Sequence, residues 1–139
     1  MPEWALKKQD GTLVRSSDFH GKPLIMHFWA TWCPYCKNLQ PGLDRIAQKY
    51  QDKGLEVIAI SFNEDESAQP QTDLKNRDLS LQTLVNGDEL ALNTFNVIGT
   101  PTTFFISSDG KILGSTTQSD PDDPQWEQVA NYLTKSNQQ

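Results

Sequence analysis

The feature that most constrains the fold is the apolar run LIMHFWA at positions 24–30, the longest in the chain. It is far shorter than the roughly 20 residues of a membrane-spanning helix and has the length of a β-strand. The turn sequence FHGKP precedes it. A continuous apolar run of this length is typical of a strand buried on both faces. We therefore expect a central strand in an α/β sheet.

The segments that follow predict a β-α-β unit. From Pro34 onward, apolar residues recur at steps of three and four as far as Tyr50, and Gly54 is suited to a helix C-terminus. Pro41 lies inside this helix and is expected to kink it. The run LEVIAISF at 55–62 predicts a second buried strand.

The remainder of the chain predicts further strands and helices of the same domain. Pro70 confines a helix to the second half of the polar stretch that ends near position 78, and LQTLV predicts a strand. A short helix is expected near 89–95. The strands TTFFIS and KILGST form a hairpin around the turn SDGK, and a closing helix starts at Pro124 with Asp123 as its cap. We expect a single domain over residues 1–139, with a mixed sheet and helices on both faces.

The charge balance excludes several classes of partner. The chain carries 12 Lys and Arg against 18 Asp and Glu, for a formal net charge of −6. Such a chain has no basic surplus to bind nucleic acid or anionic lipid. No segment is apolar enough to span a membrane, and no signal peptide follows Met1. The sequence alone leaves a cytoplasmic protein and the mature part of an exported protein open.

The two cysteines of the chain, Cys33 and Cys36, lie where the first buried strand gives way to a helix. A disulfide between them would close a loop of four residues and stabilise the fold by only about 2 kcal/mol. Residues i and i+3 of a helix turn are close enough to form and break a disulfide reversibly. At the helix N-terminus a Cys33 thiolate is stabilised, so we expect Cys33 to be the nucleophile and the more buried Cys36 to resolve the mixed disulfide.

The segments FWATWCPYC, DFHGKPLIMHFWA and VIGTPTTFFISSDGKIL, with Pro41 after the second cysteine, resemble the thioredoxin superfamily. The resemblance is to its TlpA/ResA-like extracytoplasmic thiol-disulfide oxidoreductases and runs from about position 18 to 113. It implies a thioredoxin fold with an N-terminal extension and an insertion after the first β-α-β unit. It also implies a periplasmic or otherwise extracytoplasmic domain, whose only membrane contact would be a tether absent from this chain.

The resemblance implies an enzyme that exchanges disulfides with the thiols or disulfides of partner proteins and is recharged by an upstream electron donor. It implies a monomer whose only cofactor is the redox-active Cys33–Cys36 disulfide. The intervening Pro34 and Tyr35 resemble the glutaredoxin pair, not the Gly-Pro of thioredoxin. Glutaredoxins have redox potentials above that of thioredoxin and well below that of strong oxidants such as DsbA. We therefore expect a reductant or isomerase rather than a strong oxidant.

Further site residues follow from the same resemblance. His27 occupies the place of a buried aspartate in thioredoxins, and both a proton acceptor and a hydrogen-bonded core histidine remain open. Glu64 matches a carboxylate held near the dithiol, with an exposed loop residue as its alternative. Trp32, Pro34 and Tyr35 are expected to contact substrate. Pro101 suits a strand start.

The Thr100–Pro101 bond is, by the resemblance, cis and faces the dithiol. The backbone of Thr100 would then pair with an extended substrate segment.

Two other functions compete with disulfide exchange. Cys33, Cys36, His20 and His27 make four potential zinc ligands. Their H-x6-H-x5-C-x2-C spacing is unusual, and a metal-binding or metal-delivery module that uses Cys33, Cys36 and His27 is the alternative function. A peroxiredoxin-type peroxidase is disfavoured because its threonine three residues before the cysteine is Ala30 here.

Overall fold

The structure, a computed structural model, describes residues 1–137, which contain a seven-stranded mixed sheet and three α-helices. The strands are β1 (Ala5–Lys8), β2 (Leu13–Arg15), β3 (Leu24–Trp29), β4 (Glu56–Ser61), β5 (Gln82–Val85), β6 (Thr102–Ile106) and β7 (Ile112–Thr116). The α-helices are α1 (Pro34–Tyr50), α2 (Pro70–Asn76) and α3 (Gln125–Asn137). Short 3-10 helices span Ser16–Phe19 and Gln51–Lys53, and a π-helical turn spans Leu90–Thr94.

The strands lie in the order β2-β1-β5-β4-β3-β6-β7, and the expected β-α-β unit forms their centre. β3 is parallel to β4, with Trp29 opposite Ser61, and antiparallel to β6, with Phe28 opposite Thr102. All six residues of β3 are buried, as the apolar run predicts. The hairpin of β6 and β7 forms as expected.

The side chains of β3 alternate between two hydrophobic cores. Ile25 and Trp29 face the core that receives α1, α2 and α3. The opposite core contains Leu24, Met26 and Phe28, and it is closed by the π-helical turn with Trp4 and Phe19. In the described residues the second face is covered by the 3-10 turn, the π-helical turn and the N-terminal segment, so helical elements lie on both faces of the sheet as predicted, and those on the second face are short.

Helix α1 is the element that carries both cysteines. Pro34 occupies its first turn, and the helix continues through Pro41 to Tyr50. A Cβ atom at Gly42 would lie 2.4 Å from the carbonyl oxygen of Pro121, so only glycine allows the loop before α3 to pack this closely. Gly54 takes the left-handed conformation, with φ of 88°, after the 3-10 turn that follows the helix.

The chain ends differ from the sequence-based picture in two respects. β1 and β2 were not predicted as strands, yet they extend the sheet through pairing of β1 with β5. Helix α3 begins at Gln125, one residue later than predicted, while Asp123 accepts a hydrogen bond from the Gln125 N–H. Within residues 1–137 no helix has the length and apolar character needed to cross a lipid bilayer.

Candidate active site

Cys33 caps the N-terminus of α1. Its backbone is extended, its N–H donates to the Ala30 carbonyl at 3.1 Å, and its Sγ accepts a hydrogen bond from the Cys36 N–H at 3.2 Å. A helix leaves its first N–H groups without partners inside the helix, and an N-cap side chain supplies one. The local sequence therefore places the Cys33 sulfur at the positive end of the helix dipole.

Cys36 lies one turn further on and is fully buried, whereas Cys33 is 4% exposed and lines an open groove. Burial, followed by the contact with Cys33, raises the pKa of the Cys36 thiol to about 12. Cys36 is therefore a protonated, enclosed thiol at neutral pH, and the reacting surface of the dithiol belongs to Cys33.

The loop before β6 faces the dithiol. The Thr100–Pro101 peptide bond is cis, and the Cys33 thiol donates to the Thr100 carbonyl over 3.6 Å. A hydrogen bond with the Thr100 side chain also lowers the pKa of the Cys36 thiol, against the larger opposite effect of burial. The structure thus brings Thr100 beside both sulfurs, although it follows Cys36 by more than 60 positions in the sequence.

A groove of about 500 Å³ opens beside Cys33. Trp32 and Tyr35 lie at its edge with 59% and 68% of their surface exposed, and Pro34 also lines it. The indole N–H of Trp32 donates to the carbonyl of Asn63 at 2.8 Å, which fixes the ring beside the groove. The three residues predicted to contact substrate therefore share one surface.

The groove also contains residues that the sequence did not indicate. They are apolar or small, and they come from the end of β4, the π-helical turn and the loop before Thr100: Phe62, Leu92, Val97, Ile98 and Gly99. The side chain of Ile98 is 100% exposed. In the sequence, the only signal for this exposed position is that Ile98 stands two positions before Thr100. An isoleucine there looks like an ordinary core residue.

Glu64 binds the loop that precedes Cys33. Its carboxylate accepts hydrogen bonds from the Thr31 N–H at 2.9 Å and from the Thr31 hydroxyl at 2.7 Å. It lines a separate pocket of about 260 Å³ together with Asp65, Glu66 and Asp88. The structure therefore places Glu64 next to the loop and outside the groove that contains Cys33.

His27 is fully buried beneath α1. Its Nδ1 lies 3.3 Å from the Thr103 hydroxyl and its Nε2 lies 3.2 Å from the side-chain nitrogen of Gln40. Burial, and secondarily the positive charge of Arg77, lowers the pKa of His27 to about 3. A group with so low a pKa is a poor proton acceptor at neutral pH, so this environment favours the hydrogen-bonded core histidine.

The ligands of the alternative metal site do not converge. His20 is exposed before β3, while His27 is enclosed by Thr103 and Gln40. Among residues 1–137 no group of three or more His, Cys, Asp or Glu side chains has the arrangement of a metal site. The geometry gives the metal-binding alternative no support.

Comparisons with known proteins agree on one family. The model of the AhpC/TSA family matches residues 1–114. The thiol-disulfide oxidoreductase ResA of Bacillus thuringiensis subsp. konkukian (strain 97-27) is 31% identical over 134 residues, which cover 96% of this chain and 75% of the relative. ResA of Bacillus subtilis (strain 168) is 28% identical over 112 residues, 81% of this chain and 62% of the relative.

Solved structures show the same fold. A candidate thiol:disulfide interchange protein DsbE from Chlorobium tepidum superposes with a TM-score of 0.84 at 27% identity, over 96% of this chain and 94% of that one. The exposed lipoprotein thioredoxin Etrx1 of Streptococcus pneumoniae strain TIGR4 gives 0.74 at 27% identity, over 95% and 100%. The fold of this chain is therefore the thioredoxin fold, as predicted.

The buried His27 predicts a pH-dependent stability. Its pKa of about 3 lies below the value of about 6.5 expected in the unfolded chain. Below pH 6.5 the unfolded state therefore binds a proton that the folded state does not. The free energy of unfolding then falls by about 1.4 kcal/mol for each unit by which the pH is lowered. Above pH 6.5 this contribution is complete. Urea unfolding between pH 5 and 7.5 measures the slope.

The matched variants are His27→Gln and His20→Gln. We expect the slope between pH 5 and 6.5 to disappear in His27→Gln and to persist in His20→Gln, because only His27 is buried. A slope that survives the His27 substitution would contradict the assignment.

Proposed function

This chain belongs to the AhpC/TSA family and is a ResA-like thiol-disulfide oxidoreductase, and we propose that it reduces or isomerises disulfides in partner proteins through Cys33 and Cys36. The observation that carries the proposal is the unequal placement of the two sulfurs. Cys33 Sγ accepts the Cys36 N–H at the helix terminus and faces the groove, while Cys36 is enclosed. One thiol can meet a protein disulfide, and the other can reach only the first.

The reaction proceeds by two exchanges. The Cys33 thiol gives up its proton, the thiolate attacks one sulfur of a substrate disulfide, the substrate S–S bond breaks, and the second substrate sulfur leaves as a thiolate that takes up a proton. Cys36 then loses its proton, attacks Cys33 Sγ and displaces the first substrate sulfur, which takes up a proton. The substrate gains two electrons and two protons, and the protein is left with a Cys33–Cys36 disulfide. An upstream dithiol donor restores the reduced state, so no further cofactor is required.

The surroundings of Cys33 support a reductant or isomerase over a strong oxidant. Strong oxidants of this class owe their potential to a stabilised reduced form. The residues that line the groove include no lysine, arginine or histidine in the described chain. Stabilisation of the reduced sulfur is therefore left to the helix terminus and the hydrogen bond from the Cys36 N–H.

We further propose roles for the residues around the dithiol. Glu64 holds the Thr31–Trp32 loop in place through its two hydrogen bonds to Thr31. The Thr100 backbone, beside Cys33, accepts a hydrogen bond from an extended substrate segment. The site of action is extracytoplasmic, which the description of the pneumococcal relative as an exposed lipoprotein supports.

Substitution of each cysteine separates their roles. We expect Cys33→Ser to abolish reduction of protein disulfides, because the remaining thiol is buried and protonated. We expect Cys36→Ser to retain attack but to accumulate a stable mixed disulfide, since no second thiol resolves it. Mass spectrometry after incubation with an oxidised substrate protein measures both outcomes. Accumulation of the mixed disulfide in Cys33→Ser instead would reverse the assignment.

The redox potential tests the direction of the reaction. We expect equilibration with glutathione to give a value between about −270 mV, as in thioredoxin, and about −120 mV, as in DsbA. A value close to −120 mV would identify a strong oxidant and contradict the proposed reductant or isomerase. A value below −270 mV would contradict the effect ascribed to Pro34 and Tyr35.

The groove predicts a dependence on apolar residues in the substrate. Ile98 offers a fully exposed side chain beside Cys33, and its burial by a bound peptide would contribute about 1.5 to 3 kcal/mol. We expect Ile98→Ser to lower kcat/KM for a peptide disulfide with an apolar neighbour roughly tenfold. Turnover of hydroxyethyl disulfide, which is too small to span the groove, should not change.

The matched control is Ile112→Ser. Ile112 is a partly exposed isoleucine on β7, and it does not line the groove. Equal losses in Ile98→Ser and Ile112→Ser, or equal losses with both substrates, would rule out specific contact with Ile98.

A further inference from the structure

A series of hydrogen bonds crosses the interior between α1 and the sheet. The Arg77 Nη2 donates to Gln40 Oε1 at 2.6 Å, Gln40 Nε2 lies 3.2 Å from His27 Nε2, and His27 Nδ1 lies 3.3 Å from Thr103 Oγ1. These residues belong to the end of α2, to α1, to β3 and to β6. Gln40 and His27 are both fully buried. These hydrogen bonds therefore join the partly exposed Arg77 to the centre of the sheet.

Arg77 determines which end of the Gln40 amide faces His27. A guanidinium has five donors and no acceptor, so the Gln40 atom that faces it must be the carbonyl oxygen. The amide NH2 of Gln40 then faces His27 and is a donor, and His27 Nε2 must accept with its lone pair. The single ring proton therefore lies on Nδ1, which donates to the Thr103 hydroxyl. A protonated imidazole would place two donors against each other at Gln40.

Arg77 is itself held in position by its neighbours. Its Nε donates to Asp73 Oδ1 at 2.8 Å, and the other oxygen of that carboxylate binds Lys37 Nζ at 3.2 Å. The guanidinium also lies 6.0 Å from the centre of the Trp29 ring. Asp73 thus joins Arg77 to the residue that directly follows Cys36, and the fork that contacts Gln40 is fixed on both sides.

The charged and titratable groups of the elements around His27 can be named element by element. The C-cap of α2 contributes Arg77, which pairs with Asp73, and α1 contains Cys36, Lys37 and Asp44. Asp44 accepts hydrogen bonds from Ser80 and Gln48 and makes none with His27. β6 contributes the uncharged Thr103. Arg77 is therefore the charge that governs His27, and it acts through Gln40.

Gln40 links this network to the thiols. It follows Cys36 by four positions in α1, and residues at this spacing lie on the same face of a helix, one turn apart. Both side chains are fully buried against the sheet. None of the hydrogen bonds described for Gln40, Arg77 and His27 reaches a sulfur, so the network is linked to the dithiol by the adjacency of Gln40 and Cys36 on one face of α1.

We propose that Gln40 and Arg77 are positioning residues that hold His27 as a neutral, Nδ1-protonated tautomer, so that this histidine takes no proton from Cys36 during the resolving step. The inference rests on the proposed disulfide exchange. The proton released from Cys36 then leaves on the side of the groove, to the departing substrate sulfur. With this assignment, the proton released in the second exchange is accounted for without a base beneath α1.

Nuclear magnetic resonance of the imidazole nitrogens tests the tautomer without any turnover. The chain has two histidines, and the exposed His20 supplies a reference signal. We expect the His27 signals to show a proton on Nδ1 alone and to stay unchanged from pH 8 to pH 5. A proton on Nε2, or a His27 titration within this range, would overturn the proposal whatever the catalytic activity.

Two variants test the positioning role. Gln40→Glu is nearly isosteric, and its carboxylate beside Nε2 should draw a proton onto His27 and bring its titration into the measured range. Arg77→Met keeps an apolar stem near Trp29 and frees the Gln40 amide to rotate, so both neutral tautomers of His27 should appear. Arg45→Met is the control, because Arg45 lies on the exposed side of α1 and pairs with Asp122.

The kinetic measurement is the release of the second thionitrobenzoate when the reduced protein reacts with dithionitrobenzoate. Cys33 releases the first equivalent, and Cys36 displaces the second from the mixed disulfide. We expect no inflection from His27 in the pH profile of this step in the wild type or Arg45→Met. Gln40→Glu should gain an inflection at the pH of the His27 titration.

The outcomes separate the two proposals. If neither Gln40→Glu nor Arg77→Met alters the His27 signals, the two residues do not position it and the proposal fails. If the signals change while the pH profile of the second release does not, His27 is structural only and the proposal fails likewise. If the wild type releases no second equivalent, the proposed disulfide exchange itself is refuted.

Discussion

The rest of the site depends on the junction at which β3 ends and α1 begins. β3 is buried along its whole length and paired on both sides, so the position of its last residue is fixed by the sheet. The helix that starts five residues after Trp29 needs an acceptor for its free N–H groups, and the Cys33 sulfur supplies it. Serine, threonine and aspartate are more usual caps than cysteine. The junction therefore gives the reacting atom a place where the backbone already requires an acceptor, and Cys36 follows one turn later.

The fold could be predicted wherever one local pattern decides the structure. The apolar runs give β3 and β4, the three- and four-residue spacing gives α1, and the turn SDGK gives the hairpin. β1 and β2 could not be found in this way, since ALKK and LVR are short and carry no clear alternation. Their pairing depends on distant partners: β1 pairs with β5, and the Gln9 side chain accepts from the Gln71 N–H at the start of α2. Such contacts exist only after the chain has folded.

The candidate site divides along the same line. Cys33, Cys36, Trp32 and the Thr100–Pro101 pair could be proposed because the motif and its resemblance specify their positions. Leu92 and Ile98 look like core residues in the sequence, and only the fold shows that they are exposed beside Cys33. Gln40 and Arg77 carry no motif, because their function depends on which atom of an amide faces which neighbour. Hydrogen-bond direction is a property of the packed interior and has no periodic signal in the sequence.

The two sides of the dithiol are alike in one electrostatic respect. Above it, the described groove is lined by apolar and uncharged residues, and the nearby acidic side chains line the separate pocket with Glu64. In the interior between α1 and the sheet, His27 is uncharged, and the positive charges of Arg77 and Lys37 are both paired with Asp73. The described residues on these two sides thus place no unpaired charge against the sulfurs. The N-terminus of α1 is the fixed dipole that acts on them. In such a site we expect discrimination among partner proteins to come from the fit of apolar side chains beside Cys33, since the groove offers a charged partner no counter-ion.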